Sequence, residues 1–299
     1  MKRNNTHRIS LLILMVAIVT VWTLPAIAQE DIDITRELAD DGKVSIENIS
    51  GSVIVSAWDR NEVHIEGTLG EGTKRLDVDG NKKRLKIEVI LPKRVRSVKA
   101  SHLIIHIPVG AELAISTISA DIEVTGLAGE ISLESVSGQI DVKADPTKIE
   151  VESVSGDLDL RVTSLDVDLE CISGDINLET KNLQSLSIDA ISGDVEILAI
   201  LVDRFDFESI SGDLDFKGWI SERGRLSSHS GDLVLVLGGN IDAEFEISTF
   251  SGDIRNAFGP KAQRSNRFNI TQELEFTIGD GSTSIDIESF SGDIVLKKK

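Results

Sequence analysis

The sequence predicts an all-β fold: a single-stranded parallel β-helix, or β-solenoid, of about 18–20 residues per coil. Three observations lead there. A short motif, usually Ser-Gly-Asp, recurs along the chain, and from Ala120 onward its central residue steps by 18, 18, 18, 19, 19, 19, 21 and 40. Apolar residues alternate with polar ones on both sides of the motif, the period of a strand. Helical spacing is absent, and a repeat this short has no room for two helices. Each repeat therefore reads as one coil, with two or three short strands stacked about 4.8 Å from their counterparts in the next coil. Crossover handedness favours a right-handed coil.

Residues 1–28 read as an export leader rather than as part of the fold. Lys2, Arg3 and Arg8 precede an apolar run from Leu11 to Trp22, and Ala26-Ile27-Ala28 offers a small-x-small cleavage site before Gln29. The run is short for a transmembrane span. Residues 29–110 contain strand-like runs at Val44–Ile49, Val53–Ser56, Val63–Ile65, Leu85–Leu91 and Leu103–Val109, which read as irregular initial coils or a cap. Residues 111–299 form the regular solenoid. Its stretch near 255–272 lacks the motif, carries Arg255, Lys261, Arg264 and Arg267, and reads as an exposed basic loop. Lys297, Lys298 and Lys299 place positive charge beside the final strand, where they would guard an open edge.

The motif's central residue falls at Gly51, Ala120, Gly138, Gly156, Gly174, Gly193, Gly212, Gly231, Gly252 and Gly292. Glycine suits a corner that needs a positive φ or a close backbone approach. The residue before it is Ser in all ten copies, and Ser and Asp side chains serve turn backbones. Numbering from the centre, −7, −5, +2 and +4 are apolar, as in Ile149, Val151, Leu158 and Leu160. Position −3 is small (Ser153, Cys171, Ala190) and −2 apolar (Val154, Ile172, Ile191), so the alternation breaks there as at a bend. His229 takes the −2 place in its coil, which implies partial burial.

Composition bounds the function. Of 299 residues, 50 are acidic and 31 basic, a formal charge of −19 that argues against nucleic acid or anionic lipid as the main partner. Hydrophobic residues at 40% suffice for a core, and the single cysteine excludes an internal disulfide framework.

Further motifs carry a family resemblance. Ser50-Gly51-Ser52 is followed by Ala57-Trp58-Asp59-Arg60; Ile107-Pro108-Val109-Gly110-Ala111 precedes the first regular coil; Gly126-Leu127-Ala128-Gly129 lies between two coils; Gly279-Asp280-Gly281 leads into Ile287 to Ile294. Over essentially the whole chain after residue 28 this resembles a bacterial "putative adhesin" family of exported Ser-Gly-Asp β-strand-repeat proteins. The resemblance implies the solenoid, brings no catalytic residues, and makes an adhesive role an expectation.

Two acidic rows invite chemistry. Asp157, Asp175, Asp194, Asp213, Asp232 and Asp253 occupy +1 in six consecutive copies, and Glu134, Glu152, Glu170, Asp189 and Glu208 occupy −4. Stacked carboxylates repel by roughly 1 kcal/mol per pair in water. One reading has the +1 row bonded to turn amides and the −4 row solvated; the other has the +1 row as a calcium ladder, since calcium takes several oxygen ligands. His102 and His106 lie on a strand-like run and read as surface or structural residues; Cys171 reads as a buried small residue. A β-helix can also host a polysaccharide-acting enzyme, but such sites use aromatic grooves, and this chain has no Tyr and, past residue 28, only Trp58 and Trp219. The expectation is a monomeric, non-enzymatic, exported binding or structural surface without a cofactor, periplasmic or at the cell surface, with a glycan or protein ligand. The alternatives are that enzyme and a calcium-stabilised spacer.

Overall fold

The computed structural model describes residues 31–299 apart from 95–96, 240 and 265–270. The leader, the cleavage site and Arg267 lie outside the described residues. The described chain is all β, a solenoid of parallel coils closed at each end by antiparallel strands.

One coil shows the construction. In β10 (Lys148–Ser155) Ile149, Val151 and Ser153 point inward, while Glu152, Val154 and Ser155 point to solvent. After the corner at Gly156, β11 (Leu158–Val162) turns Leu158, Leu160 and Val162 inward. The inward columns of all coils merge into one continuous core. Neighbouring coils pair in parallel and in register: Ile149 lies between Ile131 and Val167, and Leu158 between Ile140 and Ile176. The ladder skips −2 in each coil, passing from Ser153↔Cys171 to Ser155↔Ser173, so the backbone bends at Val154 and Ile172.

The regular stack runs through β7 (Glu112–Thr125), β8 (Ile131–Ser137) with β9 (Ile140–Ala144), β10 with β11, β12 (Asp166–Ser173) with β13 (Ile176–Thr180), and β14 (Asn182–Ser192) with β15 (Val195–Leu198). It continues through β16 (Leu201–Ser211) with β17 (Leu214–Gly218), and β18 (Ile220–Ser230) with β19 (Leu233–Leu237). The corner explains the glycines. Gly156 has φ +139°, and a Cβ built there would lie 2.1 Å from the carbonyl oxygen of Gly138. Backbone of one coil sits where a side chain of the next would be. Ala120 escapes because no described non-glycine residue has a positive φ; its methyl is buried. Elsewhere the core balances volume between layers: Phe205 stacks on Phe216 at 5.2 Å, and the residue paired with Phe205 in the next coil is Gly224.

Chain order and stacking order part company at both ends. At the first end, β2 (Lys43–Trp58) is a full coil that pairs with β7, Gly51 opposite Ala120. Its other side is covered by two separate strands, β5 (Arg84–Ile90) and β6 (Ser101–Pro108). These are closed in turn by antiparallel β4 (Arg75–Asn81) and β3 (Glu62–Thr68), with β1 (Asp31–Glu37) outermost on β3. At the other end, β18 and β19 pair with β24 (Thr283–Ser291) and β25 (Ile294–Lys298), not with the coil that follows them in sequence. That coil, β20 (Ala243–Ser251) with β21 (Ile254–Asn256), lies outside β24 and β25. Antiparallel β23 (Gln272–Ile278) covers β20, and β22 (Gln263–Arg264) pairs with β23.

The 40-residue step is therefore one coil plus a returning antiparallel strand. The three terminal lysines do not flank an outermost strand as expected: β25 is sandwiched between β19 and β21. Because β21 ends at Asn256, opposite Leu296, Lys297 and Lys298 extend past it and are exposed. Lys261 is also exposed, while Arg255 folds back onto Asp293 at 2.6 Å.

Candidate functional site

The +1 row forms a hydrogen-bonded ladder. The amide of Asp175 donates to Oδ1 of Asp157 at 3.0 Å, and the pattern repeats from Asp194 to Asp175, Asp213 to Asp194 and Asp232 to Asp213. It follows the stacking order at the swapped end, from Asp293 to Asp232 and from Asp253 to Asp293. The last carboxylate, Asp253, accepts from Gln272 Nε2 on the capping strand at 2.7 Å. Each carboxylate thus holds an amide of the neighbouring coil rather than of its own turn. Among the described residues, no group of three or more His, Cys, Asp or Glu side chains is placed to hold a metal ion. The corner glycines Gly138, Gly156, Gly174, Gly193, Gly212, Gly231, Gly292 and Gly252 form a column beside the ladder, each with its α-carbon against the carbonyl of the coil before it in the stack.

On the other side of the corner the bend opens a trough of about 1080 Å³. Position −3 turns inward and forms the floor, with Ser135, Ser153, Cys171 and Ser228 all buried. Cys171 is a small core residue, as expected, and burial pushes its thiol up from its ordinary pKa. Positions −4 and −2 turn outward and form the walls. One wall is Glu134, Glu152, Glu170, Asp189 and Glu208, continued by Ser227, Glu288 and Ser248. The other is Val136, Val154, Ile172, Ile191 and Ile210, continued by His229, Phe290 and Phe250. Nine coils at about 4.8 Å give a length of about 38 Å.

The apolar wall is exposed to solvent. Among the described residues thirteen large hydrophobics are exposed, and eight of them stand in the −2 column, counting Ile118 at its end. Scattered exposure needs no explanation, but a continuous stripe does. His229 is exposed too, contrary to the expected partial burial. Its ring stacks on Phe290 at 4.9 Å and 3°, and Phe290 stacks on Phe250 at 4.9 Å and 9°.

The acidic wall is unneutralised. Glu134, Glu152, Glu170, Asp189 and Glu208 form no ion pair among the described residues. On the face beyond the corner the acids have basic neighbours: Arg161 lies 3.8 Å from Asp159 and 3.6 Å from Glu179, and Lys217 3.0 Å from Glu196. Burial, then Glu152, Asp168 and Asp189, push Glu170 above the ordinary carboxylate range; burial and Glu208 do the same to Asp189. Asp168, one position further from the corner in the alternation, is raised by burial, Glu150 and Asp189.

The histidines at the first end form a separate cluster. His106 pairs with His64 across β6 and β3, and Trp58 lies 5.2 Å from His106, with Arg60 over its ring at 4.8 Å. His102 bonds Ser52 at 2.9 Å. The cluster ties the cap together, a surface and structural role. Spacing in the sequence marks both acidic rows but not the trough. Counting parity from the buried −5 position would have found it: −3 is then inward and −2 outward, whatever its hydrophobicity.

A family model described as Toastrack DUF4097 matches residues 26–297. The chain belongs to the Toastrack DUF4097 family. A crystal structure of a "putative adhesin" from Bacteroides fragilis is 13% identical to this Toastrack chain, with 89% of this chain and 97% of that one covered and a TM-score of 0.43. A "putative adhesin" from Parabacteroides distasonis is 10% identical, with 91% and 98% covered and a TM-score of 0.36. A "putative cell adhesion protein" from Clostridium sporogenes is 10% identical, with 90% and 100% covered and a TM-score of 0.25. No curated protein matches the chain. The solenoid assignment of this Toastrack chain rests on its own strand register and on the family match. No helix among the described residues is long and apolar enough to cross a membrane.

Proposed function

We propose that this Toastrack chain is an exported, non-enzymatic binding surface of the cell envelope, adhesin-like in its mode of action. The observation that carries the reading is the trough: exposed apolar and acidic walls repeat coil after coil along a rigid stack, as a surface for an elongated ligand requires. An enzyme concentrates a unique acid, base or nucleophile at one point, whereas here each of the five carboxylates from Glu134 to Glu208 has a near-equivalent a coil away. The basic start, apolar run and small-x-small site of residues 1–28 support export.

The test is binding of the fluorescently labelled chain, lacking residues 1–28, to whole bacterial cells and to envelope fractions, beside a turnover screen on envelope and plant polysaccharides. Saturable binding that falls when Glu152, Glu170 and Asp189 are neutralised together is the expected result. Turnover abolished by changing a single acid outside the repeated rows would overturn the reading in favour of a polysaccharide-acting enzyme.

A further inference from the structure

We propose that the trough receives an extended polypeptide segment of a partner protein in which lysine or arginine alternates with apolar side chains. The proposal rests on the binding-surface reading above and names the class of partner.

The two walls select that chemistry together. They arise from −4 and −2 of one strand, residues two apart, so their backbones are separated by about 6.5 Å. A strand fits that width, whereas a helix of about 10–12 Å does not. An extended chain lying along the trough sends alternate side chains to opposite sides. One set then faces the carboxylates of Glu134, Glu152, Glu170, Asp189 and Glu208, and the other faces Val154, Ile172, Ile191 and their column neighbours. An apolar ligand alone would strip water from five carboxylates that have no cation among the described residues; a cationic set offsets that cost. Beyond the corner Asp159, Glu179 and Glu196 have Arg161 or Lys217 beside them, whereas none of the five wall carboxylates has a basic partner among the described residues. Glu170 and Asp189, raised by burial and by neighbouring carboxylates, stand in the middle of this wall.

The aromatic end argues against a sugar ligand. Sugars stack on ring faces, and both faces of Phe290, with one face each of His229 and Phe250, are taken up by ring-on-ring stacking at 3° and 9°. A twelve-residue extended segment is about 40 Å long, close to the length of the trough.

The test uses a labelled twelve-residue peptide of alternating Lys and Leu and an isomer of the same composition in the helical Lys-Leu-Leu-Lys order, titrated by fluorescence anisotropy against the chain lacking residues 1–28. Three variants are compared. One carries E152Q, E170Q and D189N; one carries I172S and I191S; the third, E123Q, D141N and D159N, removes the same charge from the face beyond the corner. All six side chains of the first and third sets face solvent or half-face it, and thermal melts verify folding. The expected result is preference for the alternating peptide, about tenfold or greater weakening by either trough variant, and little change in the third. Equal weakening by the first and third variants would reduce the effect to net charge and overturn the proposal. So would absence of peptide binding, preference for the helical order, or a glycan-array signal abolished by the trough variants. Loss of peptide binding with retained saturable binding to cells would sink the partner class alone and leave the envelope reading standing.

Discussion

At Gly212 a β-carbon would sit 2.0 Å from the carbonyl oxygen of Gly193, on a backbone with φ +133°. Gly212→Ala is therefore expected to destabilise by about 3 kcal/mol or more, since strain and clash act together and the obstacle is backbone. Ala120→Gly, at a corner of ordinary φ, should cost about 1 kcal/mol or less. Urea unfolding of both variants checks the contrast, and equal effects would refute the packed-corner account. The Asp ladder makes a second residue-scale prediction. Asp194→Ala removes the acceptor of the Asp213 amide and should cost about 1 kcal/mol, whereas Asp194→Asn keeps an acceptor, sheds a charge between like neighbours, and should be neutral or stabilising. With Oδ1 of each ladder carboxylate already accepting an amide, melting in chelator or excess calcium should give the same midpoint; a rise with calcium would favour the metal-ladder reading. The need for glycine and the amide-bonding aspartate were legible from the repeat alone. That the amide belongs to the next coil was not, because a sequence motif shows what is local to a turn and not what is stacked on it.

The strand carrying the acidic wall has its own pH signature. Asp168, Glu170 and Asp189 lie above their ordinary values of 3.8, 4.5 and 3.8, as does Asp141 on the neighbouring face, raised by burial, Asp159 and Glu123. The folded chain therefore holds protons that the unfolded chain releases. Their contribution to stability is fully present below the ordinary values and is lost as pH rises through the raised ones. Asp242 runs the other way: amides of Ser282 and Gly281 hold its carboxylate below 3.8, and that contribution is lost in stronger acid. Melting temperature should thus be higher near pH 4 than at pH 7 and fall again in stronger acid. Neutralising Glu170 and Asp189 together should flatten the rise; an unchanged profile would refute its assignment to these two carboxylates. The acidic row was visible in the sequence. Its lack of cations was not, since Arg161 and Lys217 neutralise a different face, and only the fold assigns charges to faces.

Along the whole molecule each coil touches only its two neighbours, so stability is close to a sum of layers. Deleting residues 156–173 joins Ser155 to Gly174 and removes one 18-residue coil while preserving column register. The shortened chain should fold cooperatively with a lower melting temperature and a trough shorter by about 4.8 Å. Circular dichroism with thermal melts checks this, and a molten or aggregated product would show that the coils are not interchangeable. The same layering explains how much architecture could be read beforehand. Interior coils announced themselves by spacing. The end layers did not, because antiparallel caps such as β4 and β23 carry no motif, and nothing in the 40-residue step reveals which way the chain returns.

The exchanged position of the final two coils bears on how the chain matures. Residues 283–298 must be synthesised before residues 243–256 acquire a parallel neighbour, so the last fifth of the chain cannot ratchet into place one rung at a time behind the ribosome. A nascent chain broken off ahead of Thr283 would leave the Ile220–Leu237 rung bare and the 243–278 hairpin unmoored, two sticky surfaces at once. Such fragments present both surfaces openly to proteases.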